Sequence, residues 1–457
     1  MSLSVNNFWS EILGNWVLPA GDFFFGQQMM KRLRYLEEAQ WWDRERIQNE
    51  RDKELRSLIG IAYREVPFYR DLMDEARVKP DDIQSVKDLP KLPVTTKDLI
   101  RTNFPDRMVR STGQKTYESH TSGSTGKNFC VIEDHQTAGR FRAAFLLALE
   151  WAGWKMGEPH LQTGITAVRN IERKIKDAIM RCYYVSAYDL TNENLDRSLK
   201  WIEQHDLKHV WGFPGSLYVL ALRAIEKGRS YQLRSTVTWG DTLYPHYRQT
   251  IEKVFGTRIH DTYGCSEGIQ ISAQCGTGTA YHIHSLDTVV EFLDDNLQQI
   301  SPGKAGNLII TRLDPGPMPL IRYRIGDIGV SGDSRICECG RGFEMMESVQ
   351  GRDTDIVVTP DGNRLIVQFF VGVLEHFSEI DSFQVVQEKV DSMLIKIVPT
   401  NGFTKELENK IVKMLYEKGA RLRIDIVTVK DIPVSPSGKR RFIISDVLKS
   451  NNSSHVV

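Results

Sequence analysis

The chain has 457 residues, a length that favours two or three domains over one compact core. Its 59 lysine and arginine residues balance 59 aspartate and glutamate residues, which excludes an overall charge that would attract nucleic acid or an anionic membrane. Six cysteines are too few for a disulfide scaffold in a chain of this length, and they favour a reduced, cytoplasmic setting. No apolar run of about 18 residues is present, so no membrane-spanning helix is predicted.

Residues 1–57 are predicted to form a helical arm. Aromatic residues within 8–25 precede a basic cluster at 31–34, a combination that can make a weak peripheral contact with a membrane. The alternative is that the apolar stripe of the arm packs on the main domain or on a second subunit of a homodimer, and we prefer packing. Residues 37–56 show helical spacing, with the tryptophan pair that follows Gln40 as expected anchors.

Residues 119–127 combine hydroxyls, glycines and a cation in one short stretch, Ser-His-Thr-Ser-Gly-Ser-Thr-Gly-Lys. Glycine lets backbone N–H groups turn toward an anion, and hydroxyl and ammonium groups add donors. The P-loop pattern is excluded because it requires a glycine at position 121 and a serine or threonine at position 128. An isolated cluster of this kind is more typical of an ordinary loop. The predicted phosphate-binding residues are Thr121, Ser122, Gly123, Ser124, Thr125, Gly126 and Lys127.

From residue 129 onward, short apolar runs alternate with stretches of helical periodicity, such as a helix predicted at 136–154. This alternation is typical of a sheet covered by helices. Residues 287–293 and 306–313 predict a smaller β layer. After a polar hinge at 351–355, the remaining residues predict a small α+β cap. The predicted fold class is therefore α/β and multidomain.

Four further blocks accompany the phosphate-binding stretch, at 261–268, 324–327, 351–352 and 437–439. In order and spacing, the five blocks resemble the signatures of adenylate-forming enzymes, the acyl-CoA synthetase and luciferase-like superfamily. The resemblance is to the phenylacetate-CoA ligase-like branch and, within it, to capsular-polysaccharide-biosynthesis proteins of CapK type. It extends over about residues 58–447.

The resemblance implies three parts: an N-terminal arm at 1–57, a nucleotide- and substrate-binding core at 58–351, and a mobile cap at 352–457. It also implies that Tyr263, with Gly264, lies beside the adenine, and that Ser266 places a hydroxyl near the α-phosphate. Glu267 would bind Mg²⁺, which prefers a carboxylate together with phosphate oxygens and water.

The remaining nucleotide contacts are also implied by the resemblance. Gly240 and Asp241 would flank the base, although Trp239 stands where a small residue is common. Asp327 would accept hydrogen bonds from both ribose hydroxyls, and Arg352 would reach ribose or phosphate.

Lys439 corresponds to the lysine that the family carries over the active site for adenylation. Its charge can bridge the attacking carboxylate and the α-phosphate as negative charge accumulates. The match loosens at 353–355, where the acids stand in a different pattern, so the pivot residue of the cap is left open.

A second constellation consists of Cys275, His282, Cys337 and Cys339. Three thiolates and an imidazole form a closed tetrahedral set that suits structural Zn²⁺, and some phenylacetate-CoA ligase-like proteins carry this arrangement. His284 is an alternative to His282 because both face the same side of a strand. The alternative is that the four residues are unrelated, partly buried side chains that bind no metal.

The predicted function is ATP-dependent adenylation of a small carboxylic acid, giving acyl-AMP and pyrophosphate. The acyl group would then pass to CoA or to another thiol or amine acceptor, with a possible role in cell-surface polysaccharide biosynthesis. Basic residues in 169–181 favour a charged substrate, a carrier or CoA phosphates, or they form a solvated surface. One alternative is an adenylyltransferase that leaves a stable AMP ester on a hydroxyl, and another is a non-catalytic binding protein of a polysaccharide pathway.

Overall fold

A computed structural model describes residues 8–121, 129–166, 169–187, 189–332, 336–350, 356–374, 377–432, 442–445 and 447. The chain divides into two compact units. The first comprises Met1–Thr121, Phe129–Met156 and His260–Gly351, and the second comprises Ser122–Asn128, Gly157–Ile259 and Arg352–Val457. Within the residues described, no helix combines the length and apolar character needed to cross a membrane.

Helices account for much of both units. A π-helical turn, Leu13–Val17, and two 3₁₀ turns, Pro80–Asp82 and Val86–Lys91, accompany the α-helices. The α-helices are α1 (Leu18–Phe25), α2 (Met29–Ala39), α3 (Arg44–Glu65), α4 (Pro67–Glu75), α5 (Lys97–Asn103), α6 (His135–Trp151), α7 (Ile171–Met180), α8 (Asn192–Gln204), α9 (Pro214–Glu226), α10 (Pro245–Phe255), α11 (Val367–Leu374) and α12 (Lys405–Glu417).

The strands run through the chain from residue 116 to residue 445. They are β1 (Thr116–Thr121), β2 (Phe129–Asp134), β3 (His160–Gly164), β4 (Cys182–Ser186), β5 (His209–Gly212), β6 (Ser235–Thr238), β7 (Ile259–Cys265), β8 (Ile269–Gln274), β9 (Tyr281–Ile283), β10 (Thr288–Leu293), β11 (Ala305–Arg312), β12 (Tyr323–Ser331), β13 (Met345–Gln350), β14 (Val357–Val358), β15 (Arg364–Leu365), β16 (Ile380–Lys389), β17 (Ser392–Pro399), β18 (Arg423–Thr428) and β19 (Ile443–Ser445).

The first unit is built on an antiparallel sheet in the order β10-β11-β12-β13-β9-β8-β7, with β1 and β2 as a separate hairpin. Helix α6 begins where Asp134 accepts a hydrogen bond from the N–H of Thr137. It packs closely on the arm, because a Cβ at Gly139 would lie 2.0 Å from the carbonyl oxygen of Gln27. The core of this unit therefore includes buried residues of the arm.

The second unit contains a parallel sheet in the order β4-β3-β5-β6. Its crossover helix α8 starts at the cap Thr191 and buries Leu195, Leu199 and Ile202 at helical spacing. The C-terminal part adds a four-stranded sheet in the order β18-β17-β16-β19, with α12 and a core of its own. The α/β, multidomain fold class is confirmed, and the predicted α+β character of the last hundred or so residues is found in these strands and helices.

The predicted helix at 37–56 is wrong at one point. Helix α2 ends at Ala39 and α3 begins at Arg44, because Asp43 is in extended conformation and its side chain accepts a hydrogen bond from the N–H of Arg46. An aspartate that caps a new helix overrides the helical periodicity that continues through it. The proposed division at residues 57 and 351 stays a prediction.

Candidate functional site

Strands β7 and β12 bring Tyr263 and Asp327 together across a separation of 64 residues. The hydroxyl of Tyr263 donates a 2.8 Å hydrogen bond to Oδ2 of Asp327. Burial first, and then the neighbouring carboxylate, raise the pKa of Tyr263 well above its ordinary value, so the phenol stays a neutral donor. Two of the predicted nucleotide-binding residues therefore form one polar pair.

The pairing of β7 with β8 is irregular after Tyr263. The register between β7 and β8 shifts at Gly264, where a Cβ would lie 3.0 Å from the carbonyl oxygen of Ile269. Ser266 follows on an exposed turn, and its carbonyl accepts a 3.4 Å hydrogen bond from Oγ of Ser119. Because Ser119 lies on β1, this contact places the strand that leads into the predicted phosphate loop beside the turn that carries Ser266.

Glu267 is buried, with 3% of its surface exposed, and it has two partners that the sequence did not suggest. The hydroxyl of Tyr323 donates a 2.7 Å hydrogen bond to its Oε1, and Nζ of Lys97 lies 3.7 Å from the same atom. A buried carboxylate requires such partners because desolvation disfavours its charge. The side chain is therefore held in one orientation by Tyr323 and Lys97.

Lys97 reaches Glu267 because the segment before α5 is joined to β12. Thr95 forms a bridge with Tyr323, and its N–H donates a 2.8 Å hydrogen bond to the carbonyl of Arg322. This pairing links residues from distant parts of the sequence, so no local pattern could have predicted it. The signal available was a lysine just after the cap Thr96.

Two buried side chains, Arg312 and Glu133, contact the backbone of the turn at Glu267 and Gly268. Nη1 of Arg312 donates a 3.0 Å hydrogen bond to the carbonyl oxygen of Glu267. Gly268 has a φ of +74°, and a Cβ there would lie 1.8 Å from Oε1 of the buried Glu133. Burial raises the pKa of Glu133, against the opposing effect of Arg312. The turn therefore requires glycine at position 268, and Arg312 holds the carbonyl of Glu267 in place.

Gly240 and Asp241 lie in the second unit, directly after β6. Gly240 has a φ of +73°, and a Cβ there would lie 2.8 Å from the ring of Phe213. The rings of Phe213 and Trp239 also meet edge to face, with their centroids 6.5 Å apart. The side chain of Asp241 accepts a 2.8 Å hydrogen bond from the N–H of Thr242. The unusual tryptophan thus packs on a phenylalanine of its own unit.

Several predicted site residues lie outside the residues that the structure describes. The backbone of Thr121 ends β1, and nothing is described of the stretch between it and Phe129. The predicted residues without a described position are Ser122, Gly123, Ser124, Thr125, Gly126, Lys127, Arg352 and Lys439.

The four predicted metal ligands converge. The ligand atoms of Cys275, His282, Cys337 and Cys339 all lie within 4.8 Å of one another. Sγ of Cys275 is 3.6 Å from Sγ of Cys337, and Sγ of Cys339 is 3.3 Å from Nε2 of His282. A disulfide would require about 2.05 Å, whereas tetrahedral zinc with bonds of about 2.3 Å to sulfur separates its sulfurs by about 3.8 Å. The spacing therefore fits a tetrahedral metal ion.

The cluster favours ionised sulfur at Cys275 and disfavours it at Cys339. Burial alone would raise the pKa of Cys275, but hydrogen bonds with His282 and Thr277 outweigh it and lower the pKa to about 5. Burial raises the pKa of Cys339 to about 11. The alternative ligand His284 lies outside this group, stacked on Trp151 with ring centroids 5.3 Å apart.

We call residues 336–344, which carry Cys337 and Cys339, the knuckle. The junction between α2 and α3 packs on it through Gln40, whose side-chain oxygen accepts 2.8 Å hydrogen bonds from Arg341 and Trp151. The N–H of Gly342 donates to the backbone carbonyl of Gln40 at 2.9 Å. The guanidinium of Arg341 also lies 4.9 Å from the ring of Trp41, and a Cβ at Gly342 would clash with the carbonyl of Trp42. The predicted tryptophan anchors thus contact the knuckle.

Comparison with known proteins identifies relatives over most of the chain. The family model of the CapK C-terminal domain matches residues 357–446. Phenylacetate-coenzyme A ligase of Thermus thermophilus is 23% identical over 454 residues, which cover 90% of this chain and 99% of that protein. Protein CapK of Staphylococcus aureus is 24% identical over 414 residues, with 88% and 89% covered.

One solved structure shares the fold over nearly its full length. It is 2-hydroxyisobutyryl-CoA ligase in complex with 2-HIB-AMP and CoA in the thioesterification state, with a TM-score of 0.61 and 16% identity. The alignment covers 92% of this chain and 94% of that one.

Proposed function

Because the chain belongs to the adenylate-forming superfamily, in its phenylacetate-CoA ligase-like, CapK-type branch, we propose that it is an AMP-forming acid ligase. It uses ATP to convert a small carboxylic acid into an acyl-adenylate and pyrophosphate, and then transfers the acyl group to CoA or a related acceptor. The relatives named as CoA ligases support this acceptor. The likeness to CapK supports a role in cell-surface polysaccharide biosynthesis.

The observation that carries the proposal is the buried Glu267 held by Tyr323 and Lys97 on the turn next to the pair Tyr263–Asp327. Tyr263 and Asp327 present a ring and a carboxylate that suit an adenosine. The exposed Ser266 offers a hydroxyl, and Lys439 would neutralise the charge that grows on the α-phosphate. Holding the two reactants in line supplies the rest of the rate increase.

Glu267 fits the magnesium ion that such a reaction requires. Mg²⁺ binds through one or two carboxylates and the substrate phosphates, and Glu267 is a buried carboxylate whose backbone is fixed by Arg312. When bound, the ion would draw charge from the phosphate oxygens. Tyr323 keeps the carboxylate oriented, and Lys97 balances its charge.

We also propose that Cys275, His282, Cys337 and Cys339 hold structural zinc. The convergence of all four ligand atoms within 4.8 Å supports a closed site, which leaves no open position for substrate. The site would fix the knuckle and, through Gln40, the arm.

Exchange of labelled pyrophosphate into ATP tests the proposed adenylation. We expect exchange to depend on an added acid from a panel of small carboxylic acids, and Glu267→Gln to abolish it. Exchange that does not depend on any acid would contradict the proposal. A stable AMP ester formed without a thioester or amide would instead identify the enzyme as an adenylyltransferase acting on a hydroxyl.

A further inference from the structure

The first helical segment of the arm has two contrasting faces. Leu13 is fully buried, and Oγ of Ser10 donates a hydrogen bond to the carbonyl of Met156, so one face is packed on the first unit. The opposite face carries large aromatic side chains that are mostly in solvent. Their exposed fractions are 65% for Phe8, 74% for Trp16, 84% for Phe23 and 79% for Phe24.

This exposure contrasts with the packing of the helix that follows. The following helix α2 buries its apolar residues, including Leu33 and Leu36, against the first unit. Scattered apolar residues are normal on protein surfaces, but several exposed aromatic rings on one short helical run mark an interaction site. The predicted packing of the arm therefore accounts for its buried face and leaves the aromatic face unexplained.

The charges around the aromatic face favour an anionic surface. The run from residue 12 to residue 21 contains no charged residue. Lys31 is exposed, and the side chain of Arg34, also exposed, donates a 3.4 Å hydrogen bond to the carbonyl of Gly14, which places it beside the turn that carries Trp16. Two acids flank this uncharged run. Glu11 is exposed, whereas Asp22 accepts a hydrogen bond from the N–H of Met30.

Lys31 and Arg34 are the exposed cations of the helix that follows, and the other charges of that helix have partners. Arg32 forms a 2.7 Å ion pair with Asp287, the Glu37 carboxylate contacts that of Glu150, and Glu38 lies 4.0 Å from Arg46. Arg34 therefore lies beside the turn that carries Trp16, and Lys31 is exposed three residues before Arg34 on the same helix.

We propose that the arm docks on a lipid bilayer with anionic headgroups, with Phe8, Trp16, Phe23 and Phe24 entering the boundary between headgroups and acyl chains. Aromatic rings partition into this boundary, and neighbouring lysine and arginine side chains strengthen binding to anionic lipids. Rings that stand out from a surface would require a matching hollow in a protein partner. A fluid bilayer accommodates them in any arrangement.

Co-sedimentation of the full chain with vesicles tests this proposal. We expect binding to vesicles of phosphatidylcholine with phosphatidylglycerol, and weaker binding to phosphatidylcholine alone. The double variant Phe23→Ser, Phe24→Ser should lower the partition coefficient about a hundredfold, because two buried rings are lost. The variant Lys31→Glu, Arg34→Glu should lower it at least about thirtyfold on anionic vesicles. Tyr416→Ser removes a ring that is 55% exposed on α12 and should leave binding unchanged.

Three results would overturn the proposal. The first is that the chain fails to sediment with anionic vesicles, and the second is that the double phenylalanine variant sediments as the unchanged chain does. The third is that light scattering finds a dimer in solution that the double phenylalanine variant converts to a monomer, since the aromatic face would then be covered by a second copy.

Discussion

At the scale of single residues, the hydroxyl of Tyr323 decides how Glu267 is presented. The hydrogen bond is made to a buried carboxylate, and such bonds contribute about 1.5–3 kcal/mol. In Tyr323→Phe the carboxylate is free to turn toward Lys97, so we expect the Mg²⁺ concentration for half-maximal pyrophosphate exchange to rise about tenfold. Tyr416→Phe, at an exposed position, is the control. An unchanged Mg²⁺ dependence in Tyr323→Phe would refute this role.

Gly268 tests whether the turn after Glu267 is fixed by steric exclusion. Gly268→Ala combines a φ of +74° with a Cβ placed 1.8 Å from Glu133, so we expect a loss of about 3 kcal/mol or more in the free energy of unfolding. Gly303 has a φ of +78° and nothing near its Cβ, so Gly303→Ala should cost only about 1 kcal/mol. Urea denaturation compares the two. Equal losses would mean that Glu133 moves aside and the clash is irrelevant.

The sequence predicted the site unevenly, for reasons that these residues make clear. Tyr263 and Asp327 belong to ordered blocks, and the structure pairs them. The cluster around Cys275 followed from ligand spacing. The contact of Lys97 with Glu267 could not be predicted, because it depends on the pairing of Thr95 with Tyr323 across the fold. Periodicity reports which face of a segment is apolar, and it does not report which distant strand that segment will join.

At the scale of elements, the junction between helices α2 and α6 should respond to pH. Burial and the neighbouring Glu37 carboxylate raise the pKa of Glu150, on α6, to about 8. The unfolded chain releases the Glu150 proton near pH 4.5, whereas the folded protein keeps it up to about pH 8. Between these pH values the folded state binds more protons, so the free energy of unfolding falls as the pH rises.

Between pH 6 and pH 9 we expect the free energy of unfolding to fall by about 2 kcal/mol more in the unchanged chain than in Glu150→Gln. Urea denaturation at both pH values measures this difference. Glu45→Gln, at an exposed position, should keep the original pH dependence. If Glu150→Gln also keeps it, the pH dependence does not come from Glu150.

The knuckle is the second element with a distinct test. Purified protein should contain about one zinc per chain by mass spectrometry, and Cys337→Ser with Cys339→Ser should lose it and melt at a lower temperature. Cys130→Ser changes a cysteine outside the cluster and should keep the metal. Unaltered melting after complete removal of zinc by a chelator would contradict a structural role.

At the scale of the whole molecule, the chain contains an antiparallel sheet whose strands and turn carry Tyr263, Glu267 and Asp327, and a C-terminal part that matches the CapK C-terminal domain. The proposed reaction needs both, because Lys439 comes from the C-terminal part. Lys439→Ala should therefore reduce pyrophosphate exchange at least about a hundredfold and spare acyl transfer from a preformed acyl-adenylate. Equal loss of both half-reactions would place Lys439 outside the adenylation step.

The central claim is that a carboxylate oxygen attacks the α-phosphate of ATP. The most direct measurement supplies the acid selected by pyrophosphate exchange with its carboxylate labelled by oxygen-18, and then determines by mass spectrometry where the label goes after acyl transfer. We expect one labelled oxygen in the released AMP, since the oxygen that bridges acyl group and phosphorus stays with phosphorus. Unlabelled AMP, or label in inorganic phosphate together with ADP, would contradict attack on the α-phosphate.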